Sequence, residues 1–387
     1  MEQTVKKIFF ALLRFEVKQT EIQAEVKNLI TQEILPALYK FAKRQDLAHL
    51  IGDALEKNGF LLDGSEAKKH FLKERTLAVY RHEQQRYELE QICQVLEDEK
   101  IPFIPLKGSV IRDLYPEAWM RTSCDIDVLV KEEILDKASE ILCRRLAYTT
   151  DNKRTINDLS LHSPSGVHLE LHYDLTEGEK YGRDILSDIW SYTTPSQSKN
   201  YQLLLTDEAF YFYHIAHMVK HFESGGCGVR PFVDLWLLNT RLPFNAENRE
   251  KLLQKGGFLT FAKVSEKLSQ VWLDGAELDE TGTALEEYIL TGGVYGSMQN
   301  RVSVQQVKKG SKFKYILSRI FISNKELKLK YPKAGKYPVL IPFYHVVRWF
   351  KPLFNRKTAK RSLTELNQTA ESTAEGKEKL LKDLDIL

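Results

Sequence analysis

Apolar residues recur at helical spacing along the first hundred positions. Between residues 38 and 59 they return every three or four positions, and Asn58-Gly59 is typical of a helix C-terminus. A longer helix is predicted over residues 71–100. Its buried side should carry Leu77, Tyr80, Tyr87, Ile92, Val95 and Leu96. The pattern therefore predicts a helical N-terminal region over residues 1–100.

The periodicity changes from residue 101 onward. Four short apolar or alternating segments predict strands, namely IPFIPL, CDIDVLV, DLSLHS and VHLELHYDL. A short helix that ends before Pro116 follows the first strand, and an amphipathic helix follows the second. A hairpin turn at residues 164–166 joins the last two. The order β-α-β-α-β-β predicts a small mixed sheet with packed helices as an α/β core over residues 101–200.

Helical spacing returns after Thr206, a predicted N-cap residue. Further helices are expected near residues 231–240, 246–256, 258–272 and 281–291. Residues 201–355 are predicted to form a helical C-terminal domain, and residues 356–387 a polar tail that is helical in part. The segment TGGVYGSMQN is predicted to be a loop between helices. The expected class is α+β, with a small mixed sheet between helical regions.

Composition excludes several classes of protein. The four cysteines are scattered and include no CxxC pair, which argues against a disulfide scaffold and a cysteine zinc site. No apolar run reaches the roughly 18 residues of a membrane span, so no transmembrane segment is expected. The first residues lack the pattern of a signal peptide. We therefore expect a cytoplasmic location.

Charge is distributed unevenly along the chain. The net charge is +3, but the segment Lys308–Arg361 holds 16 Lys and Arg against the single acid Glu326, so it carries +15 and the remainder −12. This asymmetry predicts an anionic surface as partner of the basic segment. Nucleic-acid phosphates, an anionic membrane and a simple solvated helix pair all remain open as explanations.

The most specific chemical feature is the pair of acids at Asp125 and Asp127. On a strand, residues i and i+2 point to the same face, so both carboxylates project together. Two close carboxylates repel each other unless a cation lies between them, and Mg²⁺ takes oxygen ligands of this kind. An ordinary exposed strand face is the alternative.

Two neighbouring motifs strengthen the metal hypothesis. Upstream, Lys107-Gly108-Ser109 lies where a strand turns into a helix, and a glycine there lets backbone N–H groups approach a phosphate. A simple turn with a serine cap is the alternative. Downstream, alternation in VHLELH puts Glu170 on one strand face, where it would be a third carboxylate.

These motifs, in this order, resemble the polymerase-beta-like nucleotidyltransferase superfamily. The run LKGSVIRDLYPEAWMRTSCDIDVLV also resembles the CCA-adding and poly(A) polymerase branch. The chain as a whole, over residues 40–350, resembles a bacterial family described only as uncharacterised nucleotidyltransferases. Its markers here are KG, YP, R-x-S-x-DID-x-LV and ELH, then HFESGGCGVRPFVDLW and a closing YP…LIPFYHVVRW. Cys124 before Asp125 departs from the small polar residue that is usual there.

The resemblance implies a Mg²⁺-dependent enzyme. One or two Mg²⁺ ions would be held by Asp125, Asp127 and Glu170, and Glu170 would either ligate the second ion or take a proton. An NTP, expected to be ATP, would place its phosphates at Gly108 and Ser109. Its nucleoside monophosphate would pass to a hydroxyl of an unidentified acceptor, with release of pyrophosphate. The alternative is a catalytically inactive module of the same fold that binds nucleotide or an anionic surface.

Several other polar residues are candidates for binding. Lys107 and Arg121 would contact phosphates or form structural ion pairs. The predicted helix after Thr206 carries three histidines and a lysine on one stripe. Acceptor binding, polar core contacts and a three-histidine metal site all remain open for that stripe, and acceptor binding or an ion pair for the two residues that follow it. These acceptor-pocket candidates are His214, His217, Lys220, His221, Arg230 and Asp234. The pair His168 and His172 around Glu170 is a further metal alternative.

Overall fold

The computed structural model describes residues 1–176, 181–310, 322, 324–350 and 371–387. Five helices open the chain: α1 (Glu2–Lys18), α2 (Ala24–Lys27), α3 (Leu35–Arg44), α4 (Ala48–Lys57) and α5 (Glu66–Asp98). Ser65 caps the N-terminus of α5 by accepting a hydrogen bond from the Lys68 N–H. The predicted helical N-terminal region is therefore present.

The buried side of α5 differs from the prediction. Tyr80 and Tyr87 are 62% and 60% exposed, so their assignment to the core was wrong. The buried stripe instead runs through Phe71, Ala78, Gln85, Glu88, Ile92, Cys93, Val95 and Leu96. Its middle is polar because the side chains of Gln85 and Glu88 hydrogen-bond to other segments of the protein. A search for apolar residues at helical spacing could not find polar residues that face inward.

A five-stranded mixed sheet follows α5. Its elements are β1 (Phe103–Pro105), α6 (Gly108–Ile111), β2 (Asp125–Val130), α7 (Leu135–Leu146), β3 (Thr149–Arg154), β4 (Asp158–His162) and β5 (His168–His172). The strand order is β1-β2-β5-β4-β3. Only β2 and β5 are parallel; the other neighbouring strands are antiparallel. The predicted hairpin joins β4 to β5, and the α+β class is confirmed.

One strand of this sheet was missed by the sequence analysis. Strand β3 has the polar sequence TTDNKR and lies at the edge of the sheet, so it shows no apolar alternation. A two-stranded sheet of β6 (Thr193–Pro195) and β7 (Leu203–Leu205) was also missed, because each strand has only three residues. Each pairing joins consecutive strands, so the omissions come from weak local patterns and not from distant pairing.

The two faces of the large sheet have different environments. Ile126, Val128, Val130, Leu169 and Leu171 pack with residues of α5 and α7 in a dedicated apolar core. Alternation along β2 and β5 then turns Asp125, Asp127 and Glu170 to the opposite face. The sheet thus presents its polar face away from this core.

Helices form most of the chain after the sheet. They are α8 (Arg183–Ser187), α9 (Asp207–Glu223), α10 (Arg230–Arg241), α11 (Ala246–Gly256), α12 (Leu259–Asp274), α13 (Glu280–Gly292) and α14 (Met298–Lys309). The hydroxyl of Thr206 accepts a hydrogen bond from the Ala209 N–H, as predicted for the N-cap of α9. The predicted loop joins α13 to α14, and it is shorter than predicted because α13 extends to Gly292 and α14 begins at Met298.

Helix α1 at the start of the chain packs against α12 in one apolar core. The rings of Phe10 and Trp272 stack at 5.0 Å, and Arg14 donates a hydrogen bond of 2.7 Å to the Trp272 carbonyl. Four further helices follow, namely α15 (Asn324–Lys330), α16 (Pro332–Lys336), α17 (Ile341–Phe350) and α18 (Glu371–Asp383). The domain division at residues 100, 200 and 355 stays a prediction.

The predicted polar tail contributes to this core. Residues 356–370 lie outside the described residues, but residues 371–387 include α18. Four apolar side chains of this segment are buried in the shared core: Leu380, Leu381, Leu384 and Ile386. Every helix among the described residues is too short or too polar to cross a lipid bilayer.

Candidate functional site

The polar face of the sheet brings the three predicted carboxylates together. Strands β2 and β5 run parallel, with Asp127 opposite Glu170 and Asp125 opposite His168. Ligand atoms of Asp125, His168 and Glu170 all lie within 4.8 Å of one another. The alternation predicted from the sequence sets the face of each side chain, and the parallel pairing of β2 with β5 brings these faces together.

A second group of possible metal ligands overlaps the first. Ligand atoms of Asp127, Glu170 and His172 also lie within 4.8 Å of one another, so Glu170 belongs to both groups. The two histidines fall into different groups, each with one aspartate. Among the described residues, His168, Glu170 and His172 therefore do not form the single three-ligand site considered from the sequence.

Two cations contact one carboxylate oxygen of the buried Asp127. Its Oδ1 accepts hydrogen bonds of 2.8 Å from both Lys107 Nζ and His172 Nε2. Burial alone would raise the pKa of Asp127, but the Lys107 ammonium and the His172 imidazole together hold that pKa well below its ordinary value. Asp127 is therefore ionised.

His172 and Glu170, which both lie beside Asp127, shift each other's pKa. His172 Nε2 lies 3.4 Å from Glu170 Oε2. Burial lowers the pKa of His172, yet hydrogen bonds to Asp127 and Glu170 outweigh it and raise the value to about 9. The hydrogen bond from His172 lowers the pKa of Glu170. Spacing along β5 relates His172 only to His168, whereas its contact with Asp127 depends on strand pairing.

Asp125 has the opposite environment. Burial, followed by repulsion from Asp127, raises the pKa of Asp125 to about 6. The two cations lie on Asp127, so negative charge at Asp125 is incompletely balanced. Three converging carboxylates with one such group have the chemistry of a divalent-cation site, because hard cations prefer oxygen ligands. The residues present thus fit the expected metal.

The predicted phosphate turn lies beside these carboxylates. Lys107 has φ 46° and ψ −120°, a backbone conformation that costs a non-glycine residue about 1–3 kcal/mol. The Ser109 N–H closes the turn on the Leu106 carbonyl at 3.1 Å. The strained turn places the Lys107 ammonium on Asp127, and Gly108 and Ser109 follow it directly.

Gly108 is tightly enclosed, and an arginine supports its carbonyl. A Cβ at this position would lie 3.3 Å from Arg121 Nη1 and from Ser123. Arg112 Nε donates a hydrogen bond of 2.7 Å to the Gly108 carbonyl. Arg112 is a supporting residue that sequence reasoning did not select, although its place after the turn was part of the resemblance. The helix that follows, α6, has only four residues, so it is shorter than predicted.

Arg121 forms an ion pair in this structure. Its Nη2 lies 2.9 Å from Asp234 Oδ2, and Tyr115 donates a hydrogen bond of 2.7 Å to Asp234 Oδ1. The Arg121 side chain is only 10% exposed. The structural ion pair considered for Arg121 is therefore present, and contact with a phosphate stays a prediction.

Arg230 and Asp234 do not pair with each other as the sequence spacing suggested. Arg230 Nη1 instead lies 2.9 Å from Asp46 Oδ2 and donates a hydrogen bond of 3.0 Å to Thr122 Oγ1. Asp234 is occupied by Arg121. Spacing along one helix could not reveal these partners, because Asp46 and Arg121 come from distant parts of the chain.

A cavity of about 100 Å³ adjoins Lys107. Five of the six acceptor-pocket candidates line it, together with two of the four predicted phosphate-binding residues: Lys107, Arg121, His214, His217, His221, Arg230 and Asp234. Lys220 is exposed and does not line this cavity. The structure thus brings seven of the dispersed sequence candidates to one cavity beside the carboxylates.

The histidines of α9 make polar contacts with other protein groups, and only His214 of the three is buried. His214 Nε2 donates a hydrogen bond of 2.9 Å to the Pro231 carbonyl, and burial lowers the pKa of His214. His217 and His221 face each other with their Nε2 atoms 2.9 Å apart. Across the part of the chain that the structure describes, these three do not form a metal-ligand group.

Comparison with known protein families finds a family model that matches this chain. The model of a family described as uncharacterised nucleotidyltransferase matches residues 33–274. The closing YP…LIPFYHVVRW segment lies outside that match, so the resemblance expected up to residue 350 is shown for a shorter region. No curated protein and no solved structure matches the chain. Because the match covers more than half of its residues, the chain belongs to the uncharacterised nucleotidyltransferase family.

Proposed function

We propose that the protein transfers a nucleoside monophosphate from an NTP to a hydroxyl group of an acceptor and releases pyrophosphate. ATP is the nucleotide to test first. The observation that carries the proposal is the convergence of Asp125, Asp127 and Glu170 beside the Lys107 turn. Family membership supplies the class of reaction, and the carboxylates supply a place for it.

The three carboxylates would hold one or two Mg²⁺ ions. Nitrogen ligands suit Mg²⁺ poorly, so Asp125, Asp127 and Glu170 are the proposed ligands rather than the two histidines. When bound, the metal would neutralise charge on the phosphate oxygens of the NTP. Lowered basicity of Glu170 favours its role as a ligand over its role as a proton acceptor.

The chain's own residues would position the reactants. The Gly108 N–H and the Ser109 hydroxyl would contact the phosphates, and the Lys107 ammonium would orient Asp127. The acceptor oxygen would bond to the α-phosphorus as the bond to the bridging oxygen of pyrophosphate breaks. A carboxylate would receive the proton of the acceptor hydroxyl. In such reactions, positioning and charge neutralisation account for most of the catalysis.

The cavity between the turn and helices α9 and α10 is the proposed acceptor site. It opens beside Lys107, and His214, His217, His221 and Arg230 offer polar groups within it. Arg121 and Asp234 would form its fixed wall, because each already neutralises the other. Lys220 belongs to this proposal only as an exposed neighbour on α9.

Label transfer tests the proposed reaction. The full chain, Mg²⁺ and ATP labelled at the α-phosphorus would be incubated with fractions of a cell lysate that contain small molecules, RNA or protein. We expect α-label in an acceptor and release of pyrophosphate. Asp125→Asn, Asp127→Asn and Glu170→Gln should each reduce transfer by at least about 100-fold, by analogy with other lost charge-stabilising groups.

A matched control separates the site from general charge effects. Asp136→Asn removes a carboxylate that is 84% exposed on α7 and should leave transfer unchanged. A parallel incubation would use ATP labelled at the γ-phosphorus, and transfer of that label instead of the α-label would overturn the proposed reaction. Absence of both transfer and Mg²⁺-dependent NTP binding would favour the inactive binding module.

A further inference from the structure

Helices α15, α16 and α17 form a small packed unit within the basic segment. Leu327 and Ala334 are fully buried, and the rings of Tyr331 and Tyr344 stack at 4.7 Å. The unit therefore has an interior of its own. This packing determines which side chains of the unit remain exposed to solvent.

Large apolar side chains lie on the surface of this unit. Tyr337 is 53% exposed, Val339 89%, Phe343 59% and Val346 42%. Val339, Phe343 and Val346 follow each other at spacings of four and three, and the last two lie on one face of α17. Contiguous apolar side chains on a surface are typical of a contact with a partner.

Cations precede and follow these apolar side chains in the sequence, and one of them lies beside an exposed ring. Residues 324–350 contain six Lys and Arg against the single acid Glu326. Four exposed lysines precede α17: Lys328, Lys330, Lys333 and Lys336. The Lys336 ammonium lies 5.6 Å from the Tyr337 ring centre, so charge and apolar surface are adjacent.

We propose that residues 324–350 bind the protein peripherally to an anionic lipid bilayer. The lysines would contact lipid phosphates, and Val339, Phe343 and Val346 would enter the boundary of the acyl chains. Helix α17 has ten residues, or about 15 Å, so it would lie in the interface rather than span it. Positive charge and apolar anchors together are the two contributions that such binding requires.

The exposed aliphatic residues favour lipid over nucleic acid as the partner. Single-stranded nucleic acid is bound by basic grooves with aromatic rings on which bases stack. Valine offers no flat face for stacking, and Val339 is the most exposed of the four apolar residues. A bilayer is the anionic partner that uses both the lysines and the valines.

Vesicle sedimentation of the full chain tests this proposal. Phosphatidylcholine vesicles would be compared with vesicles that also contain about 30 mol% phosphatidylglycerol. We expect binding only to the anionic vesicles, with an affinity that falls as salt is raised. Both Val339→Asp/Phe343→Asp and Lys333→Glu/Lys336→Glu should lower the partition coefficient by at least about tenfold.

Matched variants guard against non-specific effects. Leu62→Asp changes an apolar residue that is 56% exposed before α5, and Lys251→Glu/Lys263→Glu reverses two exposed charges on α11 and α12. Both controls should bind vesicles like the unchanged protein. All variants would be checked by circular dichroism for an unchanged fold.

Three results would overturn the proposal. These are equal binding to neutral and anionic vesicles, unchanged binding of the two test variants, and competition by single-stranded nucleic acid that proves the tighter ligand. The proposal does not depend on the nucleotidyl-transfer reaction, because none of its residues belongs to the proposed site. The label-transfer assay and the vesicle assay can therefore fail separately.

Discussion

Asp125 and Asp127 lie two residues apart on one face of β2, yet their surroundings act on them in opposite directions. Two cations stabilise the ionised carboxylate of Asp127. Burial and the charge of Asp127 disfavour ionisation of Asp125. Ionised Asp127 therefore stabilises the metal-free fold, whereas ionised Asp125 destabilises it.

This difference predicts opposite effects of two isosteric substitutions. Asp125→Asn should raise the stability of the metal-free protein by about 1 kcal/mol, because it removes a disfavoured charge. Asp127→Asn should lower it by about 2–4 kcal/mol, because Lys107 and His172 lose a buried partner. Urea unfolding with a chelator present measures both. Equal destabilisation by the two variants would contradict the described electrostatics.

At the scale of elements, buried charges join segments that are far apart in the sequence. Arg121, in the loop before β2, is paired with Asp234 of α10. Glu16 of α1 lies 3.0 Å from Lys57 at the end of α4, and Lys57 also contacts Asp53. The first pair fixes the site loop against the helical region, and the second group fixes α1 against α4.

Removal of one partner from the Arg121–Asp234 pair should be costly. Asp234→Ala leaves a buried guanidinium without its carboxylate and should lower the free energy of unfolding by about 3–5 kcal/mol. Tyr115→Phe removes only the hydrogen bond to Asp234 and should cost about 1 kcal/mol. Urea denaturation would compare them. If Asp234→Ala costs no more than Tyr115→Phe, the pair does not fix the loop.

Glu16 predicts a pH dependence of stability. Burial raises the pKa of Glu16 to about 7, so the folded protein holds this proton more tightly than the unfolded chain does. The resulting stabilisation is complete below pH of about 4.3 and is lost as the pH rises through about 7. Glu16→Gln should therefore stabilise the protein relative to the unchanged chain by about 2–3 kcal/mol at pH 8, but hardly at pH 4.

Urea unfolding between pH 4 and pH 8 would measure that difference, as two-state fits allow. Glu25→Gln, at an exposed position of α2, serves as the control and should not change the pH profile. A parallel shift of the Glu16→Gln curve at every pH would show that the substitution acts through packing alone.

At the scale of the whole molecule, helices that are far apart in the sequence pack into the same apolar core. Helices from the beginning and from the second half share one apolar core, and α18 brings residues near the C-terminus into it. The sheet has a separate core on one face and the proposed site on the other. The site therefore lies where the sheet meets α9 and α10, and its cavity depends on this packing.

Truncation of a buried side chain on α18 tests its part in the shared core. Leu381→Ala should lower the free energy of unfolding by about 2–5 kcal/mol, because Leu381 is fully buried. Glu378→Ala on the exposed side of the same helix should change it by less than about 0.5 kcal/mol. Thermal and urea unfolding would compare them. A Leu381→Ala effect as small as that of Glu378→Ala would show that α18 does not stabilise the fold.

The amino-acid sequence determined the features that depend on near neighbours. Alternation placed Asp125 and Asp127 on one strand face, turn residues located the β4–β5 hairpin, and Thr206 marked the start of α9. These features follow from local geometry, in which side chains repeat every two residues on a strand and every three or four on a helix. The order of motifs also indicated the family that the comparison then showed.

Only the tertiary structure decided which distant residues meet. The parallel pairing of β2 with β5 joined Glu170 and His172 to the aspartates, and packing on α10 gave Arg121 its partner Asp234. The same packing buried polar residues of α5 and left Tyr80 and Tyr87 in solvent. Such contacts depend on how whole elements pack around two cores. The spacing of residues along a single element does not specify that packing.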